Sequence, residues 1–208
     1  MGKAIIWDLD GTLFNSYGVI VDSIFQTFQE CGIQMSLDEI HRHAINFSIQ
    51  SLFANTAGEW GISAEQLHTR YSQISSSKYL EIEPMQNAME VLCALQNKGV
   101  EHYVFTHRGK TTVPVLENLG MLDFFKEILT SQSGFARKPD PQGIVYLLKK
   151  YKLDPVRTYY VGDRRLDMQC AKNAGISGIL YLPKGSIDVS GGEESFIVHD
   201  LQEILKII

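Results

Sequence analysis

The chain has 208 residues, of which 44% are hydrophobic and 21% charged, with a formal net charge of −5. That length can bury one full-sized domain plus a smaller subdomain, and the balance is that of a globular chain, not a disordered one. The acidic excess, with no run of basic residues, argues against nucleic acid or an anionic membrane as partner, since phosphate backbones are bound by basic stripes.

The N-terminal MGKAIIWDLDG holds too short an apolar run for a signal peptide or a membrane span before Asp8 interrupts it, and Ile6 stands where a myristoylation signal wants Ser or Thr. Cys31, Cys93 and Cys170 lie far apart and form no CxxC pair, the usage of reduced thiols. The expectation is a cytoplasmic protein, monomer or homodimer.

Ala4–Leu9 reads as a buried strand ending at Asp8 and Asp10. From about Ser16 to Glu83 the pattern is helical. Val21, Ile24, Phe25 and Phe28 fall on one helix face, and Gly32 stands where that helix should end. Ser36 with Glu39, and Ser63 with Gln66, have the spacing of capping boxes. Four helices and no strand are predicted there. After Pro84 the rhythm alternates. A helix with face Met85, Ala88, Met89, Leu92 and Leu95 closes at Gly99, followed by a strand at Tyr103–Phe105 and a helix at Thr111–Leu119. A strand at Glu127–Thr130 and a helix at Ile144–Tyr151 come next, then Thr158–Val161 as strand, Arg165–Ala174 as helix and Gly178–Leu182 as strand. Gly185–Glu194 reads as a surface loop, and a short helix near Leu201–Ile208 ends the chain. Alternating short apolar strands and helices imply α/β architecture, a Rossmann-like parallel sheet covered on both faces. The predicted organisation is an α/β core from residues 1–15 and 84–208, with residues 16–83 inserted after the first strand as a helical cap.

Ligands of such sheets bind beyond the carboxyl ends of the strands. The first strand ends in Asp8-Leu9-Asp10-Gly11-Thr12, and residues two apart in an extended segment share a face. The second ends in Thr106, followed by His107 and Arg108. The fourth ends in Gly162-Asp163, with Asp167 one helical turn on. Between them lies Lys138-Pro139-Asp140-Pro141, where Pro139 keeps Lys138 out of helix, while Asp140 and Pro141 suit the N-cap and first helical position. Four converging carboxylates repel by roughly 4 kcal/mol per contact at about 4 Å and an effective dielectric near 20. One lysine cannot neutralise them; a hard divalent cation can, and carboxylate and carbonyl oxygens are what magnesium prefers. That leaves Lys138 free for a phosphate oxygen. The charge arithmetic points to metal-assisted phosphoryl transfer.

DLDGTL at 8–13, Thr106, Lys138 in KPDP, and GDRRLD at 162–167 resemble, in order, the four motifs of the haloacid dehalogenase superfamily. The resemblance spans nearly the whole chain, and its style is that of members similar to phosphoglycolate phosphatase and β-phosphoglucomutase, with a helical cap after the first strand. It implies that Asp8 is a nucleophile forming an aspartyl-phosphate and that Asp10 is general acid, then general base. It implies that Thr106 and Lys138 grip phosphoryl oxygens, that Lys138 also orients Asp8, that Asp8, Asp163 and the Asp10 backbone carbonyl hold Mg2+, and that Asp167 supports the metal. The presence of Asp10 favours phosphate esters over the dehalogenase and phosphonatase chemistries. Departures are Asn15, where many capped relatives carry Asp, and His107-Arg108, where Asn often follows the Thr.

Three functions stand side by side: a phosphatase of a small phosphorylated metabolite, a phosphosugar mutase, and a phospho-accepting receiver domain. The DxD spacing and the helical insertion count against the last. Within the insertion, Ile45-Asn46-Phe47-Ser48 is expected to separate two helices, with Asn46 and Ser48, and less so Arg42, as substrate contacts beside His107. Arg164 and Arg165 read as solvated helix charges. Gly109-Lys110-Thr111 ends like a P-loop, but Val104 stands where its first glycine is required.

Overall fold

The computed structural model describes residues 2–208. β1 (Ala4–Trp7) is followed by β2 (Phe14–Asn15), then by four helices, α1 (Tyr17–Glu30), α2 (Leu37–Asn46), α3 (Ile49–Trp60) and α4 (Ala64–Lys78). β3 (Glu83–Pro84), α5 (Ala88–Asn97), β4 (Glu101–Phe105), α6 (Thr112–Asn118), β5 (Phe125–Leu129) and α7 (Gln142–Tyr151) come next. β6 (Thr158–Gly162), α8 (Arg165–Ala174), β7 (Ser177–Tyr181), β8 (Phe196–Val198) and α9 (Ile204–Ile207) complete the chain. Two compact units result, Met1–Asn15 with Glu83–Ile208, and Ser16–Ile82.

In the first unit six strands run parallel in the order β5-β4-β1-β6-β7-β8. β1 is buried along its whole length, which a central strand covered on both faces requires of its sequence AIIW. Its neighbours are β4 on one side and β6 on the other, so the sheet's order reverses at β1 and opens a crevice at its carboxyl end. Tyr103, Phe105, Ile144, Leu147, Tyr160 and Met168 pack one core of this unit. Gly178 lets α8 approach, because a Cβ there would meet Met168 Sδ at 2.9 Å.

The second unit has its own core of Ile24, Phe28, Ile40, Leu52, Phe53 and Leu67. The boxes at Ser36 and Ser63 form as their spacing predicts: Ser36 Oγ accepts from the Glu39 N–H at 3.3 Å and Ser63 Oγ from the Gln66 N–H at 3.1 Å. A third, at Ser48, escapes sequence reading because Ser51 stands where Glu or Gln is expected.

Two elements differ from expectation. β8 was read as nothing, since Phe-Ile-Val is a three-residue run beside a turn-rich stretch; Leu182 donates its N–H to Val198 at 2.8 Å and fixes it as an edge strand. Glu83, placed among helices by the sequence, pairs antiparallel with Asn15 instead. That pairing joins residues far apart in sequence, so no local signal encodes it. Among the described residues no helix is long and apolar enough to cross a membrane.

Candidate active site

Asp8 directly follows β1, and its N–H donates to the Val161 carbonyl at 2.8 Å, tethering it to β6. The side chain is buried, as are those of Asp163, Asp167 and Lys138. One oxygen each from Asp8, Asp163 and Asp167 lies within 4.8 Å of the others. Lys138 Nζ sits 3.0 Å from Asp8 Oδ2 and 2.6 Å from Asp167 Oδ1, and donates to the Tyr160 hydroxyl at 3.0 Å. Tyr160 passes its own proton to the Phe105 carbonyl at 2.7 Å. An ammonium has three protons, and here each has an acceptor.

That accounting places Lys138 against the carboxylate it is expected to orient, and adds Asp167 and Tyr160 as partners. One expectation is revised: the fourth carboxylate does not join the cluster. Asp10 lies in the turn after β1 and turns to Arg108, whose Nη1 is 2.6 Å from Asp10 Oδ1, so three carboxylates converge, not four. Asp10's carbonyl, not its side chain, was the expected metal ligand.

Burial pushes the Asp8 carboxyl up, but the charges of Lys138 and Arg164 and the hydrogen bonds it accepts outweigh this and hold it below the usual carboxylate range. At Asp167 the balance reverses: burial and the neighbouring Asp8 charge outweigh Lys138 and Arg164, and the carboxyl is raised. Burial opposes the Lys138 ammonium, yet Asp167 and Asp8 together raise it. Arg164 is therefore no solvated helix charge. It is half-buried, and its field reaches Asp8 and Asp167, because the helix start at α8 sits at the site. Arg165 does face outward and pairs with Glu193 at 3.2 Å.

Asp167 is locked from a second side, its Oδ2 accepting the Arg164 N–H at 3.1 Å. Only glycine at 162 permits this, since a Cβ there would stand 2.5 Å from Asp167 Cβ. Thr12 Oγ1 reaches Asp163 Oδ1 at 3.4 Å, a partner the sequence reading left without a role although DLDGTL contains it. Thr106 is buried at the end of β4, and its Oγ1 accepts the Arg108 N–H at 3.2 Å, leaving its proton available. His107 Nε2 accepts the Lys138 backbone N–H at 2.8 Å, which makes it a prop for the lysine loop. Burial first, then the charges of Lys138 and Arg137, push its pKa down to about 3, so it is neutral and carries its proton on Nδ1. The cis Lys138–Pro139 bond lies in this loop. α7 begins one residue later than expected, with Pro141 at its N-cap instead of Asp140; Asp140 still accepts the Gln142 N–H at 2.9 Å.

In the helical unit α2 runs to Asn46, so only Phe47 and Ser48 separate the helices. Asn46 donates its amide to the Arg42 carbonyl at 2.9 Å, Arg42 Nε donates to the Asp38 carbonyl at 3.3 Å, and Ser48 Oγ accepts the Ser51 N–H at 3.0 Å. Asn46 and Ser48 thus have local partners at a helix end, and Arg42 bonds back to a carbonyl within α2.

The donor set suits a hard divalent cation. Asp8 Oδ1 is buried with no hydrogen-bond partner among the described residues, and it belongs to a cluster whose three carboxylates face one lysine. Carboxylate oxygens alone, with no sulfur or imidazole, suit the hard oxygen-seeking cations, magnesium, calcium and manganese, over zinc or copper.

A buried acidic cluster at the reversal point of a parallel sheet, braced by a lysine, lies where α/β enzymes bind their ligands. The sequence profile of the haloacid dehalogenase-like hydrolases matches residues 5–181, and the chain belongs to that family. It is 27% identical to a phosphoglycolate phosphatase of Vibrio vulnificus, over 99% of this chain and 96% of the relative. It is 25% identical to pyrophosphatase PpaX of Bacillus velezensis, over 98% and 95% of the two chains. A solved structure from Haemophilus somnus, whose phosphoglycolate phosphatase activity is itself a prediction, superposes with a TM-score of 0.84 at 24% identity, over 99% of this chain and 97% of that one. The protein is a phosphohydrolase.

Proposed function

We propose that the protein is a Mg2+-dependent phosphatase that hydrolyses a small organic phosphomonoester through an aspartyl-phosphate on Asp8. The observation that carries this reading is Asp8 itself: buried, kept ionised by Lys138 and Arg164, and with Oδ1 unpartnered. A desolvated carboxylate held in one orientation with one free oxygen is an activated nucleophile.

Asp8 and Asp163 would hold the metal with the Asp10 carbonyl, and Asp167 would support it. When bound, the cation supplies charge neutralisation between the carboxylates and the incoming phosphoryl group. Lys138 fixes the attacking carboxylate. The free Thr106 proton is placed to bind a phosphoryl oxygen. As Asp8 attacks phosphorus, the ester P–O bond breaks, and Asp10, swung off Arg108 and carrying the proton gained from water in the preceding turnover, gives that proton to the departing alkoxide. Asp10 then takes a proton from water, which cleaves the acyl-phosphate and restores Asp8 with release of inorganic phosphate. The substrate is a small phosphorylated metabolite; the related enzymes are named for phosphoglycolate and for pyrophosphate, so the family does not fix it.

The test is a panel of phosphomonoesters with Mg2+, reading phosphate release. Hydrolysis abolished by chelator and by Asp8→Asn is expected. Full turnover in excess chelator, or near-wild-type rates in Asp8→Asn, would contradict the reading. Return of phosphate to the substrate, with none released, would mark a mutase.

A further inference from the structure

Arg108 has a place in this site that neither the sheet nor the carboxylate cluster requires. Its Nη1 holds Asp10 Oδ1 at 2.6 Å, with only 11% of the Arg108 side chain exposed. Its Nε is buried and has no hydrogen-bond partner among the described residues. The guanidinium carbon lies 5.8 Å from the centre of the Phe14 ring, which fixes its orientation, and its backbone N–H is tied to Thr106 Oγ1 at 3.2 Å. A guanidinium offers five donors in a planar fork suited to two-point binding of an oxyanion. Here one carboxylate oxygen engages a single prong, while another prong is desolvated and unsatisfied, which is unfavourable unless something else binds it. Nor does the acidic cluster need this charge, since Lys138 already lies against Asp8 and Asp167.

We propose that Arg108 is a specificity-determining residue that binds a second anionic group on the leaving-group side of the substrate. The preferred substrates are then phosphomonoesters whose leaving group carries a carboxylate two bonds from the ester oxygen, and phosphoanhydrides, whose leaving group is itself a phosphate. The proposal rests on the phosphatase reading, in which Asp10 protonates that oxygen. Arg108 touches Asp10, so its fork borders the atoms attached to the leaving oxygen. An oxyanion there takes the unsatisfied donors and competes with Asp10 for Nη1, turning the Asp10 oxygen toward the reacting centre. A neutral leaving group offers the fork nothing.

The test compares wild type, Arg108→Gln and Arg108→Lys on three substrates with Mg2+: phosphoglycolate, its neutral counterpart 2-hydroxyethyl phosphate, and inorganic pyrophosphate. Wild type should favour the two charged substrates over the neutral ester by about tenfold or more in kcat/KM, the discrimination of a site built to bond an anion. Arg108→Gln should collapse that ratio by about tenfold or more, chiefly through KM, and Arg108→Lys, which keeps charge but loses the fork, should restore part of it. A wild-type preference for only one of the charged substrates, lost in Arg108→Gln, tells which anion the fork prefers and supports the proposal, whereas a preference that survives Arg108→Gln overturns it. A wild type that hydrolyses all three without preference overturns it and leaves the phosphatase reading standing. So does an equal loss on all three in Arg108→Gln, which would make Arg108 a support for Asp10. No hydrolysis of any substrate by wild type overturns both.

Discussion

Gly162→Ala is a one-carbon change whose consequence the geometry sets. The added Cβ would lie 2.5 Å from Asp167 Cβ and Cγ and 2.6 Å from Oδ2. Unstrained carbon contacts need about 3.5–4.0 Å, so Asp167 must retreat by about 1 Å. From 2.6 Å to Lys138 Nζ, such a shift ends the hydrogen bond. Overpacking costs about 1–3 kcal/mol, and loss of a charge-assisted hydrogen bond about 1.5–3 kcal/mol, for a total of about 2.5–6 kcal/mol. Urea unfolding should show the midpoint falling accordingly with an unchanged slope. Phosphate release should fall at least about tenfold, because Lys138 loses its brace. Gly58→Ala is the control: nothing lies within 4 Å of a Cβ there, and inside α3 it should be neutral or stabilising by up to about 1 kcal/mol. A Gly162→Ala protein within about 0.5 kcal/mol of wild type would refute the claim that this glycine exists for Asp167.

Acid should destabilise the metal-free protein in a window set by two histidines. His102, buried beside Trp7, is pushed down by burial to about 4, and His107 by burial and Lys138 to about 3. Both are neutral in the fold and protonate near 6.5 when unfolded, so the unfolded state binds more protons between those values. Stability is full above about pH 6.5 and falls toward pH 4, by at most about 2 kcal/mol per histidine at pH 5. Urea midpoints in chelator at pH 7 and 5 read this, and a flat profile would contradict it. Lys138→Ala should leave Asp8 and Asp167 uncompensated, lowering stability by about 3–5 kcal/mol and rate by about 10²–10³, read by urea midpoint and phosphate release. Mg2+ added to chelator-treated protein should raise the melting temperature, and Asp163→Asn should abolish the rise; an equal rise in the variant would exclude Asp163 from the metal.

Much of this site could be read from the sequence because its residues stand where strands end. Asp8, Thr106 and Asp163 each follow or close an apolar run, and Lys138 precedes a proline that forces it into loop, so local rules suffice. What stayed hidden depends on partners distant in sequence. Tyr160 reads as core in Thr158–Val161, yet its hydroxyl accepts a hydrogen bond from Lys138; the available signal is that a buried tyrosine needs a partner. Spacing put Asp10 and Asp8 on one face but could not show that Arg108 would claim Asp10. Arg164 reads as a surface charge although Asp163 and Asp167 flank it in the site, because spacing alone does not show which way a side chain at a helix start turns. β8 was missed because three residues carry too little periodicity to register.

The central claim is that Asp8 carries the phosphoryl group, and mass spectrometry of the Asp10→Asn variant tests it most directly. That variant, quenched in acid during incubation with an aryl phosphate and Mg2+, should retain attack but fail to turn over. One added phosphoryl group on the peptide containing Asp8, absent in chelator and absent when Asp8→Asn is also present, is the expected result. Phosphate release by wild type, with no phosphoryl group trapped on Asp8 under any of these conditions, would contradict it.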